Sequence, residues 1–447
     1  VTLGVDAIRE CLEGAIPSVI ATCAPDGTPN VSFLSQVHYV DGAHVALSFQ
    51  FFNKTRENVL ANPRAAALVI EPETAARYRL ELEYLRTEAE GPLFENMKAK
   101  LAGIASHTGM SGVFRLRGAD VYRVLDIARI SGETVLESPP RRSLLAGLRA
   151  CCERLNRCAD LATLLDEVLA GLEAAFEIRH AMVLMLDGSG QRLYTVASRG
   201  YAHSGVGSEI LIGCGVIGVA AQQRTAIRIG HMTAEYTYGR AVRESVEREG
   251  HAGLLETAIP LPGLPDSRSQ LAVPIVACDR IMGVLYVESP EDLRFGYDHE
   301  DALTAVAGQL GLAIEALREL PEAHDEATAP SRGSRPAGGT AVQVRHYAAD
   351  DSVFIGDEYL IKGVAGAIFR KLLADYEQSG RTEFSNRELR LDRSIRLPDL
   401  SDNLEARLIL LQRRLAERCD FFRIEKTGRG RFRLAVGRRF ELTEMAS

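Results

Sequence analysis

The 447-residue chain contains no run of about 18 apolar residues, which excludes a helical membrane span. Its first residues, Val1-Thr2-Leu3-Gly4-Val5-Asp6, hold no basic stretch followed by an apolar core, so no export signal is expected. The eight cysteines, at positions 11, 23, 151, 152, 158, 214, 278 and 419, form no Cys-x-x-Cys repeat and no paired spacing. Neither a zinc site nor a disulfide framework is indicated, and a cytoplasmic protein with reduced thiols is expected. No internal repeat is found. Apolar residues make up 46% and charged residues 25%, too apolar a balance for a mostly disordered chain.

The length predicts two to four domains. Net charge is −8, unevenly spread. Residues 351–447 hold 19 Lys and Arg against 16 Asp and Glu, a balance of +3 that leaves −11 on the rest. A basic module on an acidic body points to nucleic acid as its partner. The segment from Pro321 to Val344 is rich in Pro, Gly, Ser and Ala and nearly free of large apolar residues, so it reads as a flexible linker. Glu137-Ser138-Pro139-Pro140 marks a second boundary, because the Pro pair disfavours helix before it. The expected division is 1–138, 141–320, a linker at 321–345, and 346–447.

The first module reads as strands with a few helices. Ser18–Cys23 and Pro29–Ser35 flank the turn signal Pro25-Asp26-Gly27, and Val37–Val40 with His44–Phe49 make a second hairpin. Lys54–Ala61 and Glu95–Ala105 read as helices, with strands at Ala65–Ile70, Arg77–Glu88, Val113–Leu116 and Val121–Ile127. Short strands at this spacing predict an antiparallel barrel. The second module opens with a helical pattern from Arg142 to Phe176, broken near Asp160, and closes with a helix from His299 to Leu320. Strands at Ala181–Leu186, Leu193–Ser198, Leu271–Ala277 and Ile281–Glu288 place a sheet between helices. The third module reads as a strand, Ser352–Ile361, a helix, Val364–Gln378, closed by Gly380, a short helix, Ser385–Leu391, an Arg-rich amphipathic helix, Asp402–Cys419, and a hairpin of Phe422–Lys426 with Arg431–Val436.

That Arg-rich helix can present Arg407, Gln412, Arg413 and Arg414 to a major groove, with Asn403 at its start. The hairpin beside it carries Lys426, Thr427, Arg429 and Arg431, suited to phosphates or a minor groove. Gly428 and Gly430 permit the tight turn between its strands. The same residues also suit a solvated basic helix on a protein-interaction module. In order and motif the module resembles the OmpR/PhoB-type winged helix. The stretch Arg407-Leu-Ile-Leu-Leu-Gln-Arg-Arg-Leu415 stands where the family has its recognition helix, and Arg429-Gly-Arg-Phe-Arg-Leu434 where it ends its wing. The resemblance implies binding to double-stranded DNA. Ile409, Leu410 and Leu411 are more apolar than that family's DNA-facing positions, which leaves open that part of the helix packs on a neighbour.

The middle module resembles a GAF domain, through Gly213-Cys-Gly-Val-Ile-Gly218, Gln270-Leu-Ala-Val-Pro-Ile-Val276 and Gly283-Val-Leu-Tyr-Val-Glu288. That resemblance implies an α/β/α sandwich with a small-molecule pocket. Cys214 could serve as a thiol sensor near a helix start, or simply pack. His231, His251, Tyr236, Tyr238 and Arg240 fall in the variable loop that would cover the pocket, where they could touch a ligand, a His could ligate haem, or they could form an ordinary polar loop.

The first module resembles the FMN-binding split barrel of the pyridoxamine 5′-phosphate oxidase family, on Asp26-Gly-Thr-Pro-Asn-Val-Ser32 and Lys54-Thr-Arg-Glu-Asn-Val-Leu-Ala-Asn-Pro-Arg64. The resemblance implies a homodimer with FMN at its interface, the phosphate near Lys54, Thr55 and Arg56 and the ring near Ser48, Gln50 and Phe51. After Val124 the chain lacks that family's substrate-binding end, so oxidation of pyridoxine phosphate is not expected, and FMN, haem or nothing could fill the barrel. The expected fold is thus multidomain α+β: an antiparallel split β-barrel, a GAF α/β/α sandwich and a C-terminal winged helix. The expected function is a ligand- or redox-responsive one-component transcriptional regulator that binds promoter DNA as a dimer and crosses no membrane. The competing class is a flavin-dependent oxidoreductase regulated by its GAF domain.

Overall fold

The computed structural model describes residues 3–13, 16–50, 54–72, 74–107, 116–130, 143–230, 259–319, 341–392, 395 and 404–445. The N-terminal module is built on β1 (Ser18–Cys23), β2 (Pro29–Leu34), β3 (Val37–Asp41), β4 (His44–Phe49), α1 (Lys54–Ala61), β5 (Arg64–Ile70), β6 (Arg77–Glu88), α2 (Pro92–His107) and β7 (Gly118–Ile130). Its seven strands form one antiparallel sheet in the order β2-β1-β5-β6-β7-β4-β3. The long β6–β7 pair changes register at Glu81/Leu82 and at Tyr84/Arg86. Such bulges raise local twist and bend a sheet toward closure. Ile20, Val45, Leu47, Val69, Leu80, Leu82 and Tyr122 fill the interior. A 3-10 helix at Val5–Leu12, absent from the expected elements although Val5, Ile8, Cys11 and Leu12 fall at helical spacing, adds Ile8 and Leu12 to that core. Most of the expected strand at Val113–Leu116 lies outside the described residues, and Leu116 itself is not in a strand.

The middle module follows as α3 (Leu145–Leu155), α4 (Leu161–Phe176), β8 (His180–Leu186), β9 (Arg192–Arg199), β10 (Glu209–Leu211), α5 (Gly215–Gln223), β11 (Ile227–Ile229), β12 (Ser269–Ala277), β13 (Arg280–Ser289) and α6 (Tyr297–Glu319). The break expected near Asp160 is there. Its carboxylate accepts the Thr163 amide at 3.1 Å and so caps α4. The sheet runs β10-β9-β8-β13-β12-β11. One face packs on α3, α4 and α6 through Leu164, Val168, Leu303, Val306 and Leu310. The other packs on α5 through Met182, Leu184, Ile217 and Ala220. Helices therefore cover both faces of a sheet rich in buried apolar residues.

The C-terminal module comprises β14 (Val342–Tyr347), β15 (Ser352–Ile355), β16 (Glu358–Ile361), α7 (Gly363–Ser379), β17 (Glu383–Ser385), α8 (Asn386–Leu391), α9 (Leu404–Arg418), β18 (Phe422–Gly428), β19 (Arg431–Val436) and β20 (Phe440–Met445). The single strand expected over Ser352–Ile361 is two antiparallel strands, turned at Gly356-Asp357. Strand β14 begins at Val342 and takes residues 342–345 out of the expected linker. It pairs with β15 on one side and, in parallel, with β20 on the other. Helices α7, α8 and α9 pack between this sheet and the β17-β19-β18 sheet, around Ile368, Phe369, Leu372, Leu411, Leu415 and Phe422. In the hairpin the turn falls to Gly430, at φ +66°, while Gly428 pairs with Arg431 as part of β18.

Candidate functional site

In the N-terminal module, the end of β4 and the start of α1 bring the expected cofactor residues together, apart from Phe51, which lies outside the described residues. The Gln50 amide nitrogen donates to Ser35 Oγ at 2.9 Å and to Ser48 Oγ at 3.5 Å. Gln50 Oε1 is buried without a partner among the described residues, and so are both side-chain polar atoms of Gln36, a residue 1% exposed. Thr55 Oγ1 accepts from Asn30 Nδ2 and shares a hydrogen bond with Ser32 Oγ, both at 2.9 Å. Lys54 is exposed, with Glu57 at 3.6 Å. Arg56 turns inward. It donates to Asp120 at 2.5 Å and to Thr87 at 2.8 Å, and stacks 4.7 Å from the Phe49 ring centroid. Burial pushes the Asp120 carboxyl above its usual range, opposed by the Thr87 and Arg56 donors. Arg56 is therefore held by a half-buried ion pair inside the module. Asn30, Ser32 and Gln36 were not singled out in the sequence. Only the period-2 placement of polar side chains along β2 hints at the first two.

The joint between the N-terminal and middle modules is buried and charged. Arg228, 1% exposed on β11, donates to Glu13, to Glu300 at 2.8 Å and to the Phe295 carbonyl at 3.0 Å. Tyr297, at the start of α6, belongs to the N-terminal core. Its amide donates to Glu13 at 3.1 Å, and its hydroxyl meets Lys100 at 3.2 Å. Lys100 also lies 3.4 Å from His38 Nδ1. Burial drives the Lys100 ammonium down to about 8, with nearby Arg228 adding to the shift and Glu13 and Glu300 opposing it. The same burial, with Lys100 and Arg228 alongside, holds His38 well below its ordinary value. The sequence signal for this joint is one arginine between two isoleucines in a strand, Ile227-Arg228-Ile229.

Cys214 is exposed and stands at the N-cap of α5. His231, His251, Tyr236, Tyr238 and Arg240, expected over the pocket, lie outside the described residues. Cys151 is buried against Gly171, where an added Cβ would come within 2.8 Å of the thiol, so it packs α3 on α4.

Two family models match the chain: GAF domain over residues 160–314 and pyridoxamine 5′-phosphate oxidase over residues 5–124. The chain joins an FMN-binding-type split barrel to a GAF domain. Among solved structures, the GAF domain of the Acinetobacter phosphoenolpyruvate-protein phosphotransferase is 22% identical, covering 41% of this chain and 99% of its own, with a TM-score of 0.32. An FMN-binding protein from Syntrophomonas wolfei subsp. wolfei is 16% identical over 29% of this chain and 86% of its own, at 0.24. HupZ of Group A Streptococcus is 18% identical over 29% of this chain and 97% of its own, at 0.23. No curated protein matches the chain.

The GAF domain also receives α9 of the C-terminal module. The Arg407 guanidinium sits 3.7 Å from the ring centroid of Tyr194 on β9. Arg413 donates to the Val196 carbonyl at 3.0 Å and to Asp166 of α4 at 2.7 Å. Arg414, 3% exposed, donates to the Leu360 carbonyl at 3.1 Å and to Glu417 at 3.2 Å, while its Nη2 is buried without a partner among the described residues. Ser204 Oγ donates to Glu417. From the hairpin, Lys426 lies 3.5 Å from Asp160, and Arg429 donates to the Leu317 carbonyl at 3.4 Å. Lys362 lies 3.4 Å from Glu209. Gln412 is exposed, Arg431 is half-buried, and Asn403 lies outside the described residues. Thr427 is exposed. Ile409, Leu410 and Leu411 are all buried in a cluster continuous with the GAF core, as their apolar character leaves open.

Proposed function

We propose that the protein is a cytoplasmic, dimeric regulator in which the split barrel and GAF domain sense a ligand or redox state and the C-terminal module binds promoter DNA. What supports the DNA reading is the order of three helices, α7 to α9, closed by the β18–β19 hairpin, with basic side chains concentrated on α9 and the hairpin. That arrangement matches the winged-helix pattern carried by the sequence, in which a helix reads bases and a hairpin reaches the backbone. The test is binding of the full-length protein to duplex DNA as salt is raised. Binding that weakens steeply with salt supports the reading, because neutralised phosphates release counterions. Arg431→Ala should weaken binding to all sequences alike, whereas Arg407→Ala should relax specificity. Salt-independent binding contradicts it.

The dimer reading draws on the edge strand β2, which leaves Val31 and Phe33 66% and 80% exposed. A second copy covering this face would remove both from water.

The cofactor reading rests on the residues at the barrel's edge. Lys54 and the Thr55 hydroxyl would hold an FMN phosphate, and the Gln36 amide and Gln50 Oε1, without partners among the described residues, suit the polar edge of a flat heterocycle. Arg56, committed to Asp120, is not part of that cradle. Bound there, a flavin would supply a reversible redox centre, and the protein's part is to orient its ring and neutralise its phosphate. A UV–visible spectrum before and after dithionite decides this. Bleaching flavin bands support FMN, a Soret band moves the assignment to haem, and a colourless protein leaves the barrel as a dimerising scaffold. A regulated flavin oxidoreductase has less behind it, since the chain after Val124 lacks the family's substrate end.

A further inference from the structure

We infer that the GAF domain holds the DNA-reading helix in a closed state, its α4 and β9 face standing in for DNA. The inference rests on the DNA-binding reading of the C-terminal module. Of the residues that reading assigns to DNA, Arg407, Arg413, Lys426 and Arg429 each meet a GAF group: an aromatic ring, a carboxylate with a carbonyl, a carboxylate, and a carbonyl. These are the acceptor types that a phosphate backbone and stacked bases would offer the same side chains. Asp160 and Asp166 sit about two turns apart along α4, at its N-cap and in its second turn, so one helix presents anions to both the hairpin and α9. Steric access agrees with the charges. Leu410 and Arg414 lie under Gly207, at φ +91°, where an added Cβ would stand 3.7 Å from each. A duplex cannot reach that side of α9 while the GAF domain covers it.

The closed state is also built to open. Arg414 is buried with one guanidinium nitrogen unpartnered, a desolvation cost that solvent or a phosphate would relieve. Asp166 is itself 68% exposed, so its pair with Arg413 sits at a wet rim where ion pairs contribute little. Only the open fraction binds DNA, and the apparent affinity falls by that fraction. A GAF ligand or a redox change acts on DNA binding to the extent that it favours one state.

The test uses the full chain with three substitutions on the GAF side, Asp160→Asn, Asp166→Asn and Glu209→Gln. Asn still caps a helix, so α4 keeps its start. Glu153→Gln, on α3 away from the contact, removes one acid as a control. Fluorescence anisotropy with a mixed-sequence DNA duplex at one fixed salt concentration reads the outcome. The triple variant should bind on the order of tenfold more tightly than the unaltered chain, with the control unchanged. Equal affinities for the triple variant and the unaltered chain would overturn the closed state and leave the DNA reading standing. No binding by any of the three at low salt would overturn the DNA reading, and the closed state with it.

Discussion

The GAF domain makes two joints, and they are built on different physics. Toward the split barrel it buries charge: Arg228, itself sealed from water, reaches Glu13 and Glu300, whose side chains are 12% and 19% exposed, with Tyr297 inserted into the neighbouring core. Toward the C-terminal module it sets exposed or half-exposed ion pairs, Arg413–Asp166 and Lys426–Asp160, around an apolar seam. Breaking one partner of a buried pair strands the other, whereas breaking a wet pair releases both to solvent. The first joint therefore makes barrel and GAF one unit. The second, under the proposed closed state, opens without unfolding either side. A sensor needs both: a rigid body that gathers the signal and a contact weak enough for that signal to shift.

The largest effect should come from Arg228→Met, which leaves Glu13 and Glu300 facing each other without their cation. It should cost about 3–5 kcal/mol in denaturant unfolding of the full chain. A loss under about 1 kcal/mol would show that the joint is solvated rather than buried. Lys100→Met should act in the opposite direction. Near neutral pH the ammonium is charged both folded and unfolded, and the folded chain carries its burial cost. Removing it should raise stability by about 1–3 kcal/mol. Above a folded value of about 8 the native state gives up that proton before the unfolded state, whose value is 10.5, so the unaltered chain gains stability as pH rises between the two. The advantage of Lys100→Met should therefore shrink over that interval and vanish beyond it. A gain independent of pH would assign the effect to packing. The smallest effect should be that of Asp166→Asn on unfolding, under about 1 kcal/mol, although under the proposed closed state the same substitution would tighten DNA binding. A loss as large as that of Arg228→Met would erase the distinction between the joints.

Much of the fold is legible in the sequence because it is written in local patterns. Alternation gives β1, Asp160 gives the start of α4, and Gly380 closes α7. Local pattern is weakest where tertiary contact decides. The helix at Val5–Leu12 is short and takes its place from the barrel core it plugs. Ser352–Ile361 reads as one strand because the turn at Gly356-Asp357 interrupts only two residues of an apolar run. The candidate site divides in the same way. Lys54 and Thr55 can be named from a motif, but the diversion of Arg56 to Asp120 depends on a residue 64 positions away. The basic residues of α9 are plain in the sequence. The aspartates that meet them sit on another domain, and nothing local pairs Arg413 with Asp166 across 247 positions.

Two buried tyrosines, one at each joint, offer the most direct measurement. Tyr194 lies under Arg407 at the C-terminal contact, and Tyr297 lies under Arg228, whose guanidinium is 4.5 Å from the ring centroid, at the barrel joint. Both are nearly sealed from solvent. Hydroxyl-radical footprinting of the full chain, read by mass spectrometry, reports each ring's access to water. In the triple variant Asp160→Asn, Asp166→Asn, Glu209→Gln, oxidation of Tyr194 should rise severalfold while Tyr297 stays protected. Protection of both rings, or exposure of both together, would contradict the claim that one joint is fixed and the other opens.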